Sequence, residues 1–442
     1  MLTHRNTPRK ETNMKNLRFI LFCWVCTLTL LCGCSKEKEM PEDNQANHGP
    51  LAIMETENGY YYNYGYVDTI TRNVYCKQYL HYLDKENGEN ILVCNKPECE
   101  HNGNNSCTAT YKNIAVINSL IYNNEIYVYG VEEDGLMVRF NLYRIAPDGS
   151  SIDKVGTVIE SENTLSEDYN ISLSHKDIYA PGSFIIHKGY AYLPYYLRLG
   201  VASKGFMGGG LVQMDITTGE TKTIYEMEHM TSKFPHDLTA CGDYVYMNMI
   251  NYHSTGETTR YVISEDRLEP ISERCFYDVF TETTLYTVQA DASEESDATG
   301  PIAVNGYDVN IGELLADKTF LTDIPSNPET RIISFPYEDM LVIGVQDRVT
   351  FYGIGEENYS EKLGEIFFES GYHEEIHSFV QGLDFKISGD TLYRICTPIN
   401  VKNYRPAEIR YPSYIPYAVY SCPIKDILKG NGQWTLEFTY AE

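Results

Sequence analysis

Positive charge is scarce in these 442 residues: 35 Lys and Arg stand against 62 Asp and Glu, a formal net charge of −27. A body this acidic repels phosphate backbones and anionic lipid heads, so nucleic acid is not expected as a partner. Long apolar runs are also missing. The one marked run, Phe19 to Leu31, is too short to span a bilayer comfortably as a permanent helix. From Leu51 to Glu442 no helical periodicity persists, which excludes a mainly helical fold. There is no G-x-S-x-G elbow and no Walker A loop, and "GFMGGG" from Gly205 has neither dinucleotide nor phosphate-loop spacing. Tryptophan occurs only twice.

Tyrosine fills the gap, with 38 residues, and tyrosine suits pleated, half-buried surfaces. It belongs to a repeat. A short polar turn leads into an apolar strand at "ENGYYYNYG" (Glu57), "NNEIYVYG" (Asn123), "HKGYAYLP" (His187), "CGDYVYMN" (Cys241), "TETTLYTV" (Thr281), "YEDMLVIG" (Tyr337) and "SGDTLYRI" (Ser388). A second strand running into a turn follows each copy, at Tyr82, Tyr143, Val212, Tyr261, Tyr307, Phe351 and Tyr420. The Gly, Asp and Asn positions are hairpin chemistry. Antiparallel units of about four strands at a period of roughly 50 residues are propeller blades. The expected fold is all-β, a seven-bladed β-propeller over residues 51–442, with six to eight blades inside the margin of counting. A pair of β-sandwiches is the rival, but a sandwich needs no repeat at this period.

The N-terminus reads as an address. From Met14, a better start than Met1, a basic stretch with Lys15 and Arg18 precedes the apolar run, which ends in Leu31-Cys32-Gly33-Cys34. This resembles the lipobox of bacterial lipoproteins, although Cys32 is unusual at its position. The resemblance implies a signal peptide at 1–33 and lipidation of Cys34. Residues 34–50, charged and without apolar periodicity, read as a flexible tether. The expected location is the outer face of the bacterial cytoplasmic membrane or the cell surface. Residues 1–33 carry five Lys or Arg and one Glu, so the part that remains is more acidic still.

The stretch "CNKPECEHNGNNSC" holds Cys94, Cys99, His101 and Cys107 in the pattern C-x4-C-x-H-x5-C. Three thiolates and an imidazole make a full tetrahedral zinc set, which suits a closed structural site. The spacing is that of no diagnostic zinc finger. A disulfide within the loop, or one to Cys76, is the competing reading, because an exported chain permits both. Either way the loop is a staple, and one structural zinc is the only cofactor expected. "HEEIH" at His373–His377 matches the zincin signature, but that chemistry needs a helix. The flanking "SFVQGLDFKIS" is strand-like, and on one strand the two histidines would lie roughly 13 Å apart. No metallopeptidase is expected.

Two inserts stand out, Tyr195 to Gly210 and Asn400 to Tyr417. Both lengthen the connection after the recurrent strand, so both should emerge on one rim. They are basic and aromatic on an acidic body, and Tyr with Arg is the composition of recognition surfaces. Candidate ligand contacts are Tyr195, Tyr196, Arg198, Tyr404, Arg405, Arg410, Tyr411, Tyr414 and Tyr417. The lipobox, the acidic tether, the cysteine loop and the D-x-x-T/N-G-E turns together resemble a group of bacterial lipoprotein propellers of unknown function, loosely similar to TolB. That resemblance implies fold and address and no activity. The resulting expectation is a lipid-anchored binding or scaffold module for a protein or glycan ligand of the envelope. The alternative is an envelope glycan hydrolase or lyase with its carboxylates hidden among the many acidic loops.

Overall fold

A computed structural model describes residues 53–439, apart from 67–76, 102–106, 112–113, 135–136, 163–176, 180–183, 200–205, 228–232, 251–256, 273–277, 282, 291–299, 310, 327–331, 346, 370, 374–377 and 399–417. The expected signal peptide, Cys34, the tether and Cys76 lie outside the described residues.

Seven antiparallel sheets follow one another along the chain at 53–92, 114–162, 177–226, 234–272, 278–326, 332–367 and 371–439. They are the seven blades of a β-propeller. Within each blade four strands pair in chain order, here lettered A, B, C and D from the inside outward; blades 3 and 7 each add a fifth short strand, Asp177–Tyr179 on strand B and Gly371–His373 on strand A. The recurrent polar turns of the sequence are the A–B hairpins. In blade 2 the turn residues Asn123 and Asn124 both have positive φ, 50° and 62°. Two left-handed residues give the turn whose twist matches the flanking strands, and asparagine tolerates that conformation.

The C–D turns share a second device. Asp84 Oδ1 accepts the N–H groups of Glu86 and Asn87, and Asp215 Oδ1 those of Thr217 and Thr218. A glycine closes each turn at positive φ, Gly88 at 71° and Gly219 at 74°. This is the physical content of the D-x-x-x-G-E repeat. In blade 7 the short helix Ile424–Leu428 takes the place of the turn, and it buries Ile424 and Ile427.

Middle strands are covered on both faces by neighbouring blades. Strand B of blade 6, Met340–Val345, is therefore buried at all six positions and shows no alternation. Apolar clusters join each blade to the next from blade 1 through blade 7. The scattered cysteines Cys396 and Cys422 are fully buried core residues of blade 7.

The turns also lock one blade to the previous one. A Cβ on Gly219, in the C–D turn of blade 3, would stand 2.2 Å from the Val155 carbonyl oxygen of blade 2. A Cβ on Gly149, in the same turn of blade 2, would stand 2.5 Å from the Val93 oxygen of blade 1. Blades 1 and 7 are each built from one continuous stretch, with no strand exchanged between them among the described residues. They meet through Tyr60 and Tyr393, whose hydroxyls are 3.1 Å apart and whose rings make an edge-on contact at 5.8 Å.

Strand order fixes the two faces of the ring. The A–B and C–D turns lie on one face, and the B–C and D–A connections on the other. The expected insert Tyr195–Gly210 is mostly strand: Tyr195–Leu199 and Phe206–Gly210 pair as the ends of strands B and C of blade 3, and only 200–205 connect them. Residues 400–417 fall in the B–C connection of blade 7, and the two connections share a face. Counted round a ring of seven, these blades stand almost opposite each other.

Candidate metal centre

The cysteine loop interrupts the outermost strand of blade 1. Strand C of that blade, Lys77–Asp84, pairs over its second half with strand D, Asn90–Leu92, placing His81 opposite Leu92. Nearer its start the same strand meets a later piece of chain, with Tyr79 opposite Thr110. Leu80 binds both pieces: its N–H donates to the Ala109 oxygen at 2.9 Å, and its oxygen accepts from the Val93 N–H at 2.9 Å. The edge strand is thus continuous in space but not in sequence, and residues 94–108 are an excursion from its middle.

The roots of the loop are core. Val93 and Tyr111 are 4% exposed and Ala109 is fully buried. The Tyr111 hydroxyl donates to Asn63 Oδ1 at 2.7 Å, and Asn63 Nδ2 donates to Ser119 Oγ at 2.7 Å, tying blade 1 to blade 2. Thr110 Oγ1 donates to the Cys107 oxygen at 3.1 Å. A turn between Lys96 and Cys99, closed by a 3.0 Å hydrogen bond, reverses the chain at Pro97. His101 is left-handed, with φ 50°, which swings it back over the loop.

The four donor atoms of Cys94, Cys99, His101 and Cys107 lie within 4.8 Å of one another. The edges of a tetrahedron around a zinc about 2.3 Å from its sulfurs are about 3.8 Å, so the donors stand only slightly spread for such an ion. His101 Nδ1 is 3.4 Å from Cys107 Sγ. Burial pushes the Cys94 thiol up, but hydrogen bonds from Thr108, the Lys96 and Thr108 backbone and Cys99 outweigh it and bring it down to about 6. Burial, reinforced by Cys99, raises Cys107 to about 11, and the charge of Cys94 adds to the rise. Neighbouring thiolates oppose each other's ionisation, and a dication removes that opposition. Sulfur and imidazole donors suit zinc; calcium and magnesium require oxygen.

The other expected sites divide differently. HEEIH does not lie on one strand. The short strand Gly371–His373 pairs antiparallel with Ser378–Val380, the start of strand A (Ser378–Ser388), so that His373 faces Ser378. The motif spans a reversal that adds a fifth strand inside blade 7; residues 374–377 lie outside the described residues. The 13 Å separation expected of one extended strand therefore does not apply. What removes the zincin context is that His373 is on a strand.

Tyr195 is a core residue: it is 4% exposed and its ring packs 6.5 Å from that of Phe140. Strand B of blade 3, Tyr190–Leu199, is covered by blade 2, and this overrides the rim position expected for Tyr195. Further along that strand, Tyr196 and Arg198 stand opposite Tyr179 and Asp177 of the inner strand Asp177–Tyr179. Tyr404, Arg405, Arg410, Tyr411, Tyr414 and Tyr417 lie outside the described residues.

No family model and no curated protein matches this sequence. Solved structures do match in fold. The acylaminoacyl peptidase of Pyrococcus horikoshii shares 9% identity and aligns over 91% of this chain and 54% of its own, with a TM-score of 0.50. A prolyl endopeptidase structure aligns at 9% identity over 98% and 57%, with a TM-score of 0.50. The β-propeller domain of the trilobed protease from Pyrococcus furiosus aligns at 9% identity over 89% and 99%, with a TM-score of 0.46. This chain spans little more than half the length of the two peptidases. Likeness at such identity concerns the propeller and does not extend to chemistry.

Proposed function

We propose that this chain is an exported, lipid-anchored propeller that binds a protein or glycan ligand of the bacterial envelope, with one structural zinc held by Cys94, Cys99, His101 and Cys107. The observation that carries the binding reading is topological: the longest B–C connection, residues 399–417 of blade 7, leaves the same face of the ring as the shorter connection 200–205 of blade 3, almost opposite it. Ligands of ring-shaped folds are met by loops on a rigid scaffold. The blade 7 connection carries Lys402, Arg405 and Arg410 with Tyr404, Tyr411, Tyr414 and Tyr417 in an otherwise acidic chain. The lipobox-like Leu31-Cys32-Gly33-Cys34 and the tether after it support the address, as does the resemblance to TolB-like lipoprotein propellers. The metal reading rests on the convergence of three thiols and one imidazole in a loop whose two ends are buried.

The test uses the soluble domain from Ser35 onward as bait against envelope extract and a glycan array. Capture of a defined ligand should disappear when residues 400–416 are replaced by a short Gly-Ser link, with the strand signal in circular dichroism retained. Capture that survives this replacement, or turnover of a captured glycan, would contradict the binding-module reading. The anchor has its own test: Cys34→Ala should abolish labelling by a metabolic lipid analogue, and label that persists would refute it.

A further inference from the structure

The four donors of the loop have two closed arrangements that exclude each other. Sulfurs that converge on one ion are also each other's nearest partners for oxidation. All the donor atoms lie within 4.8 Å of one another, so each sulfur has the other two as its nearest partners for oxidation. Access is unequal. Cys94 and Cys99 are partly exposed, whereas Cys107 is 6% exposed and lies under His101 at 3.4 Å. The two partly exposed thiols, Cys94 and Cys99, therefore form an outer pair, with His101 also partly exposed and Cys107 buried. The backbone keeps the outer pair together when no ion is bound. Cys94 follows Val93, which is paired to Leu80, and Cys99 closes the turn from Lys96.

We infer that the loop is an oxidant-sensitive metal clasp, in which an oxidant of the peroxide class joins Cys94 to Cys99 and expels the ion. The inference rests on the metal reading given above. In the step, the two thiolates surrender one electron pair to the peroxide. The S–S bond forms and the O–O bond breaks. With two protons taken from solvent, the peroxide oxygens leave as two waters. The ion keeps only two of its four donors, Cys107 and His101, and departs, since a structural site holds zinc through all four. A dithiol reductant returns the electron pair, reopens the bond and restores the site.

The experiment uses the mature chain, reduced and loaded with one equivalent of zinc, then freed of unbound metal. Hydrogen peroxide is titrated in while a chromophoric chelator reads released zinc. Peptide mass spectrometry under non-reducing conditions maps the sulfurs. The expected result is release of one zinc per chain, in step with a Cys94–Cys99 disulfide, and full rebinding after dithiothreitol. His101→Ala, which lacks the ion, should form the same disulfide with no zinc to release. Reduced chain that takes up no zinc overturns the metal reading and the inference with it. Zinc that stays bound under excess peroxide overturns the inference alone. So does release that comes with sulfinic or sulfonic acids, or with a bond to Cys107, in place of the Cys94–Cys99 disulfide.

Discussion

Three edges of this propeller depart from the four-strand plan, at blades 1, 3 and 7, and two of them carry a histidine-containing motif. At the outer edge of blade 1, strand D is broken by a loop whose cysteine spacing matches no diagnostic finger. Its four donors nevertheless meet within 4.8 Å, because both ends of the loop pair with the same strand. At the inner edge of blade 7 the sequence matches a peptidase signature letter for letter, yet His373 ends a three-residue strand paired across to Ser378. Spacing along the chain is not what makes a metal site. A metal site requires a backbone that returns its donors to one point, and a helix is only one way to do that.

Removing a donor from the first edge should have the largest effect. Cys107→Ser and His101→Ala leave three donors, so zinc content should drop from about one per chain to near zero. Structural zinc in small peptides is worth on the order of 10 kcal/mol, enough to decide folding there. Here the blade core does not depend on it. The thermal midpoint should fall by several degrees while the strand signal persists. Loss of all strand signal on metal removal would show that the ion holds more than the loop.

The next effect sharpens the contrast at the loop's root. Ala at Gly149 must adopt φ 69° with its Cβ 2.5 Å from the Val93 oxygen, whereas Ala at Gly88 meets only φ 71° and open space. The left-handed backbone costs roughly 1–2 kcal/mol in both. Gly149→Ala should lose more than this in denaturant unfolding, and it should also loosen zinc, because Val93 leads directly into Cys94. Equal losses for the two variants would mean that the turn does not bear on the loop.

Acidity provides a third contrast, inside the loop. In metal-free, reduced protein, alkylation of Cys94 should rise with pH through about 6, where its thiolate appears, whereas Cys107 should stay unreactive until about 11. Peptide mapping after iodoacetamide at stepped pH reads both. A common midpoint near the ordinary thiol value would remove the asymmetry.

The smallest effect belongs to the inner edge of blade 7. Glu374→Gln and His373→Ala should leave metal content unchanged, and no peptidase activity should depend on them. A second zinc lost in either variant would restore the motif's usual meaning.

Much of this molecule was legible in its sequence. Polar turns such as Asn123-Asn124 and the Asp84–Glu89 pattern have local causes, so they revealed the hairpins, and counting them revealed the blades. The long connection 399–417 was legible as an insert, but Tyr195–Gly210 was not one: most of it is paired strand. Three features were hidden: two depend on partners distant in sequence, and one is a local hairpin too short to leave a pattern. The pairing of Tyr79 with Thr110 turns the loop into a break within a strand. The reversal at His373 rests on only three paired positions. The burial of Tyr195 comes from Phe140 on another blade, and strands covered on both faces lose the alternation that would have shown it.

The central claim is that Cys94, Cys99, His101 and Cys107 converge to hold one structural metal ion. X-ray absorption at the zinc edge, on reduced chain loaded with one equivalent, tests it most directly. The account predicts about three sulfurs near 2.3 Å and one nitrogen near 2.0 Å, with no exchangeable water position. A shell of oxygens and nitrogens alone, or a spectrum unchanged when Cys94, Cys99 and Cys107 are all replaced by Ser, would contradict it.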